Sequence, residues 1–145
     1  MMRGVLAGLA AIVAAAGASA QMAEKSVWQG VFTAEQATRG AGVYVAKCGA
    51  CHGVTLGGTG EAPALVGGEF VSHWDTLTVG DLFDRVRTTM PQNDPQTLTR
   101  DEYADVLAYM LQYNGFPEGT APLDRRSEVL AMIGITAQKP ATAGR

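Results

Sequence analysis

The sequence predicts an all-α domain of about three to five helices. Three observations predict it. Thr33, Thr78 and Thr99 are each followed three residues later by Gln36, Asp81 and Glu102, the signature of a helix N-cap, and each opens a stretch with apolar residues at helical spacing. No run alternates apolar and polar residues in a way that supports a strand. Residues 53–77 are too rich in glycine to read as regular structure of either kind.

The helix capped by Thr33 is expected from about Ala34 to Ala46. Ala37, Ala41, Tyr44, Val45 and Cys48 recur at helical spacing and give it an apolar face. Gly40 and Gly42 each weaken helix propensity by up to about 1 kcal/mol. Glycine there predicts that another backbone approaches closely. The helix capped by Thr78 has Val79, Leu82, Phe83 and Val86 on one side and is expected to end near Thr88. Met90-Pro91 and the turn-rich Gln92-Asn93-Asp94-Pro95 follow, and the proline sets how Met90 is presented. The helix capped by Thr99 carries Tyr103, Val106, Leu107, Met110 and Leu111 as a stripe to Tyr113, where Asn114-Gly115 and Pro117 stop it. Residues 123–133 allow one further short helix, with Val129, Leu130 and Ile133 as its apolar contacts. Residues 21–32 read as a mixed lead-in and Lys139 to Arg145 as a frayed tail.

The irregular stretch 53–77 contains Gly53, Gly57, Gly58, Gly60, Gly67 and Gly68, with Pro63 among them. So long a segment without regular structure is often functional, and glycine lets backbone pass close to a flat ligand. Gly58-Thr59-Gly60 is no nucleotide loop, because no strand precedes it and Pro63 stands where the third glycine would be.

Cys48-Gly49-Ala50-Cys51-His52 directly follows the first helix. In such a C-x-x-C-H run each thiol can form a thioether with one haem vinyl group, and the histidine can supply an axial nitrogen. C-x-x-C also occurs in redox disulfides and as half of a zinc site. A redox motif belongs after a strand in a βαβ setting, whereas here a helical pattern precedes it. Cys48 and Cys51 are the only cysteines, which excludes a four-thiolate site within one chain.

At the N-terminus, Arg3 precedes an apolar, alanine-rich run from Gly4 to Ala16, and Ala18-Ser19-Ala20 is an A-x-A cleavage signal. We expect residues 1–20 to be a secretory signal peptide, which places the protein in the periplasm. The alternative is an uncleaved anchor, for which the apolar run is short. With Arg3 removed, ten Lys and Arg face fourteen Asp and Glu, a net charge of −4. That balance excludes a strongly basic nucleic-acid surface.

The chain resembles a small class I cytochrome c, a bacterial monohaem electron carrier, over about Arg39 to Gly115. Gly40-Ala41-Gly42-Val43-Tyr44-Val45-Ala46-Lys47-Cys48 is similar to the family's first helix, and Asp105-Val106-Leu107-Ala108-Tyr109-Met110 to its last. The resemblance implies that these two helices cross closely beside one covalent haem c. It implies that Pro63 and Leu65 lie on the histidine side, with the Pro63 carbonyl accepting from the ligand's other ring nitrogen. It also implies that Met90-Pro91 carries the sixth ligand. Asn114 to Ile135 is similar to cytochromes that serve periplasmic quinoprotein dehydrogenases.

His52 is thus the expected fifth ligand and Met90 the sixth. Met90 follows a helix, precedes proline and lies in a polar stretch with little for a packing methionine to contact. Met110 and Met132 lie on apolar stripes and are expected in the core. His73 is the only other histidine and the rival sixth ligand; otherwise it is a solvent-facing loop residue or lies near a propionate. Trp74 is a candidate propionate donor, as a tryptophan is in part of the family, or else simple packing. Arg85 and Arg87 are expected on a solvated helix face, with a propionate as the other possibility.

The expected function is that of a non-enzymatic electron carrier with no small-molecule substrate. Its partners would be redox proteins, such as a quinoprotein dehydrogenase as donor and an oxidase or another cytochrome as acceptor. A haem enzyme or gas sensor with a labile sixth ligand is one alternative, and a permanent subunit of a dehydrogenase complex another. The expected division is a signal peptide at 1–20, a lead-in at 21–32, the cytochrome domain at 33–135 and a flexible tail at 136–145.

Overall fold

The computed structural model describes residues 23–141; the expected signal peptide, Gln21, Met22 and the last four residues lie outside them. The described elements run β1 (Lys25–Ser26), a short 3-10 turn (Val27–Gln29), α1 (Ala34–Lys47), α2 (Gly49–His52), α3 (Gly68–Trp74), α4 (Val79–Thr89), α5 (Arg100–Tyr113), α6 (Ser127–Leu130) and β2 (Ile133–Gly134). The fold is mostly helical, as expected, and α1 against α5 is its main helix pair. No helix among the described residues is long and apolar enough to cross a membrane.

Local chemistry starts the three long helices. The hydroxyls of Thr33, Thr78 and Thr99 accept the amides of Gln36, Asp81 and Glu102 at 3.2, 3.1 and 3.2 Å. In α4 and α5 the box is reciprocal, since the Asp81 and Glu102 carboxylates accept the amides of Thr78 and Thr99, each at 2.8 Å. In α1 it is not. Gln36 is buried and turns inward, donating from Nε2 to the Leu123 carbonyl at 3.0 Å and accepting the Leu123 amide at 2.6 Å. The expected capping partner is therefore a staple between α1 and the segment before α6.

Gly40 lets α1 and α5 cross. A Cβ there would overlap the Asp105 carbonyl of α5. Beside it, Arg39 grips the buried Asp105 carboxylate with two hydrogen bonds of 2.9 and 3.0 Å. Gly42, expected to do the same, has nothing within 4 Å of a built Cβ and faces solvent. Val45 is also off the buried face, at 62% exposure, one residue round the helix from the fully buried Tyr44. The α5 stripe is as expected: Tyr103, Val106, Leu107, Met110 and Leu111 are all buried.

Besides the short α2 and the 3-10 turn, three elements were not expected. Within 53–77, residues Gly68–Trp74 form α3, which buries Phe70 although Gly67 supplies no side-chain cap. His73 is therefore an exposed helix residue rather than a loop residue. Two strands of two residues each pair in parallel, Lys25 opposite Ile133 and Ser26 opposite Gly134. Residues 23–32, read as a lead-in, put Val27 and Phe32 into the core at full burial. The C-terminal segment is pinned at Thr136, whose carbonyl accepts Trp28 Nε1 at 2.9 Å, and at Ala137, whose amide donates to Asp75 at 2.9 Å. The helix expected within 123–133 is the single turn of α6, and Leu130 and Ile133 are buried.

Candidate haem site

The motif sits at the end of α1. The Cys48 and Tyr44 backbones close the last turn of α1 at 2.8 Å, and the His52 amide bonds the Cys48 carbonyl at 2.9 Å. Short α2 thus holds Cys48, Cys51 and His52 on one rigid turn. The Tyr44 hydroxyl donates to the Gly53 carbonyl at 2.8 Å and ties that turn back to α1. Burial pushes the Tyr44 phenol up to about 12.

The chain then folds back on itself. The Gly58 amide donates to the His52 carbonyl at 2.8 Å, the Thr59 amide to Ala62 at 2.9 Å and the Leu65 amide to Leu56 at 2.7 Å. The Thr59 hydroxyl donates to the Cys51 carbonyl at 2.7 Å. Gly58 is left-handed, with φ of 77°, and a Cβ on it would sit 2.7–2.8 Å from the Ala62–Ala64 backbone. These bonds carry Pro63 to the histidine. Its carbonyl lies 2.9 Å from His52 Nδ1. A carbonyl only accepts, so Nδ1 carries the proton and Nε2 keeps the lone pair.

The residues fit a covalent haem. His52 is buried, and its tautomer is fixed in the form that ligates iron. Both thiols are free, with Cys48 half-buried and Cys51 exposed. Burial, with a smaller contribution from Cys51, pushes the Cys48 thiol up to about 11. A redox C-x-x-C thiol is shifted the opposite way. Among the described residues no group of three or more His, Cys, Asp or Glu is placed to hold a metal ion.

Met90 stands at the C-cap of α4, half-buried, its amide bonded to the Val86 carbonyl at 2.9 Å. The hydroxyl of Tyr103 on α5 donates to the Met90 carbonyl at 2.8 Å. Leu65 is partly buried against the core, and its carbonyl accepts Asn114 Nδ2 at 3.0 Å. Trp74 is partly buried beside Phe70 and His73, with ring centroids 6.4 and 5.6 Å away. Met110 is in the core, and Met132 is half-buried. Sequence reasoning missed two positioning residues. Tyr103 looked like pure core, and Asn114 looked like a helix stop although it also accepts the Gly67 amide at 3.0 Å.

A helical fold with a long α1–α5 crossing and C-x-x-C-H at the end of α1 defines a class I cytochrome c carrying one covalent haem c. The family model described as cytochrome c oxidase, cbb3-type, subunit III, matches residues 35–110, and the chain belongs to that family. Its fold is similar to that of a chain in the crystal structure of the sulfane dehydrogenase SoxCD from Paracoccus pantotrophus. The TM-score is 0.52 and the identity 24%, over 68% of this chain. The match spans 52% of that longer chain, and at this identity the likeness is one of fold. No match is found among curated proteins. Membership of a cytochrome c family makes electron transfer between redox partners the general role of the chain.

Proposed function

We propose that the protein is a periplasmic carrier that takes one electron from a redox partner and passes it to another, with His52 and Met90 as the axial ligands. The observation that carries this reading is the bond from His52 Nδ1 to the Pro63 carbonyl at 2.9 Å, which presents Nε2 as a ligand. Bound haem would supply the Fe(III)/Fe(II) couple. The protein's work is to hold and tune it. Cys48 and Cys51 anchor it by thioethers, and His52 is kept in one tautomer. Tyr103 restrains Met90 through its backbone. Met90 favours the ferrous state more than a second imidazole such as His73 would. With both axial positions filled, no site is left for substrate. Leu65 packs on the histidine side, and Trp74 is available to a propionate. Residues 1–20 act as the export signal, and the haem domain extends beyond 33–135 to take in residues 23–32, which bury Val27 and Phe32, and the pinned Thr136 and Ala137.

Docking is proposed at the exposed face around Cys51, Val45 and Val54, with a quinoprotein dehydrogenase as donor and an oxidase or another cytochrome as acceptor. A second reading makes the chain a permanent subunit of a larger redox complex. It is supported by the family's description as an oxidase subunit and by the likeness to part of a dehydrogenase. Co-purification with a larger chain separates the two.

The test is an optical spectrum of the holoprotein, oxidised and reduced. The expected result is a low-spin covalent haem with a weak far-red sulfur-to-iron band that Met90→Ala abolishes. A low-spin spectrum without that band points to His73, and rapid carbon monoxide binding points to a labile sixth position.

A further inference from the structure

Two basic side chains of α4 are left unused by this reading, the exposed Arg85 and the half-buried Arg87. Phe83, Arg87 and Met90 follow one another at spacings of four and three, so they share a side of the helix end. That side faces inward. Phe83 is fully buried, and its ring meets Tyr103 edge-on at a centroid distance of 6.4 Å; the Tyr103 hydroxyl in turn holds the Met90 carbonyl. Arg87 lies between Phe83 and Met90. Its side chain keeps 26% of its exposure, but its Nε is fully shielded and is the only buried side-chain nitrogen or oxygen among the described residues without a hydrogen-bond partner.

No neighbour among the described residues satisfies it. Among the described residues the one ion-pair contact of Arg87 runs from a terminal nitrogen to Asp84 at 3.6 Å, too long for a hydrogen bond. The same Asp84 oxygen already accepts the Ser127 hydroxyl at 2.7 Å. A guanidinium Nε–H shielded from water needs an acceptor, and the fork it forms with a terminal N–H matches a carboxylate. Arg85, two residues earlier, is exposed and under no such constraint. Trp74, the candidate donor named from the sequence, has Phe70 and His73 as its aromatic neighbours.

Resting on the haem reading above, we propose that Arg87 is a positioning residue that holds a haem propionate carboxylate through its Nε–H. Haem brings two carboxylates, and here it would bring one to the inner side of α4 beside the proposed sulfur ligand. The cation then does two things. It fixes how the haem is seated relative to Met90, and it offsets propionate charge that would otherwise favour Fe(III).

The experiment compares Arg87→Gln, Arg87→Lys and Arg85→Gln holoproteins with the wild type, each matched for haem content by its pyridine haemochrome. Arg87→Gln is expected to shift the propionate bending band in the resonance Raman spectrum. It should also lower the midpoint potential, read as a several-fold fall in the reduced-to-oxidised ratio at fixed ambient potential. Arg87→Lys keeps the charge but loses the fork; it should move the band and recover most of the ratio. Arg85→Gln removes the same charge from an exposed site and should move neither. If Arg87→Gln fails to retain haem, the band in Arg87→Lys decides alone. An unmoved band in the Arg87 variants, or an equal potential change in Arg85→Gln, overturns the proposal and leaves the haem reading intact. A wild-type protein without haem overturns that reading itself.

Discussion

Gly40 of α1 lies against the backbone carbonyl of Asp105 in α5 so closely that no side chain fits between them. The contact sets how near the two long helices come, and α1 ends in the haem motif. Gly40→Ala forces the helices apart, and we expect it to destabilise the holoprotein by about 1–3 kcal/mol or more, as overpacking does. Gly42→Ala makes the opposite prediction. Nothing lies within 4 Å of its Cβ, so helix propensity alone acts and stability should rise by about 0.5–1 kcal/mol. Thermal unfolding of the two variants checks both signs, and a loss in both would show that Gly42 has a packing role this geometry lacks.

The bond from Tyr103 to the Met90 carbonyl links α5 to the proposed sulfur ligand. Tyr103→Phe keeps the buried ring and removes only the hydroxyl. Its direct cost is expected to be about 1 kcal/mol. The more telling effect is on ligation: the far-red band should be lost at lower denaturant, and carbon monoxide should bind the ferrous form faster. A variant that loses stability but leaves band and binding rate as in the wild type would limit Tyr103 to packing.

What was legible in the sequence follows from how far each interaction reaches. The caps at Thr33, Thr78 and Thr99 depend on residues three positions away, and all three were readable. Gln36 was misread because its partner, Leu123, is 87 residues off and outcompetes the local one. Helix α3 was hidden by Gly67 and Gly68, which open it without a side-chain cap, and the strands are too short to show alternation. Val45 was counted with Tyr44 because both are apolar, yet adjacent residues on a helix cannot face the same way. At the site, Cys48, Cys51 and His52 are contiguous and carry their own signal. The Pro63 carbonyl has none in composition or spacing and was available only through resemblance. The shielded Nε of Arg87 depends on what lies above α4, which no local pattern records.

Gln36 itself gives a sharp test of the staple. Both its amide groups are used by the Leu123 backbone, at 3.0 and 2.6 Å, and the side chain is 3% exposed. Gln36→Ala leaves a buried N–H and a buried carbonyl without partners and should cost about 2–6 kcal/mol, at about 1–3 kcal/mol per orphaned group. Gln36→Glu keeps the acceptor for the Leu123 amide but sets a carboxylate against the Leu123 carbonyl, so that variant should recover stability as the pH falls and the acid protonates. A Gln36→Ala protein as stable as the wild type in chemical denaturation would show that the segment before α6 is held by apolar contacts alone.

Acid should weaken the fold through Asp124. Hydrogen bonds from the Arg126 guanidinium, at 2.8 and 3.0 Å, hold its carboxyl down at about 2, with the Arg126 amide assisting. The folded state therefore binds this proton less readily than the unfolded chain, whose carboxyl titrates near its ordinary 3.8. The sign follows: the stabilisation is complete above that ordinary value and is lost as pH falls through about 2. The difference in melting temperature between the wild type and Asp124→Asn should be present at about pH 5 and shrink towards the lower value. A difference that stays constant across this range would assign the effect of the variant to shape rather than charge.

The face around the haem motif makes a prediction about partners. Val45 and Val54, three residues before Cys48 and three after Cys51, are 62% and 69% exposed, Cys51 is exposed as well, and Lys47 is the one Lys or Arg between Arg39 and Arg85. An encounter surface of this kind has little charge to steer a partner from a distance. Reduction of the holoprotein by its donor should therefore have a rate nearly independent of ionic strength, with binding carried by a small, short-lived apolar contact. Replacing Val45 or Val54 by Asp should slow electron transfer without changing the spectrum, because the side chains meet the partner and not the iron. A rate that falls steeply with added salt would place docking on one of the charged faces instead. Candidates are the surfaces around the Arg125–Asp101 and Arg126–Asp124 pairs, where charges of both signs stand exposed and would be screened as salt is raised.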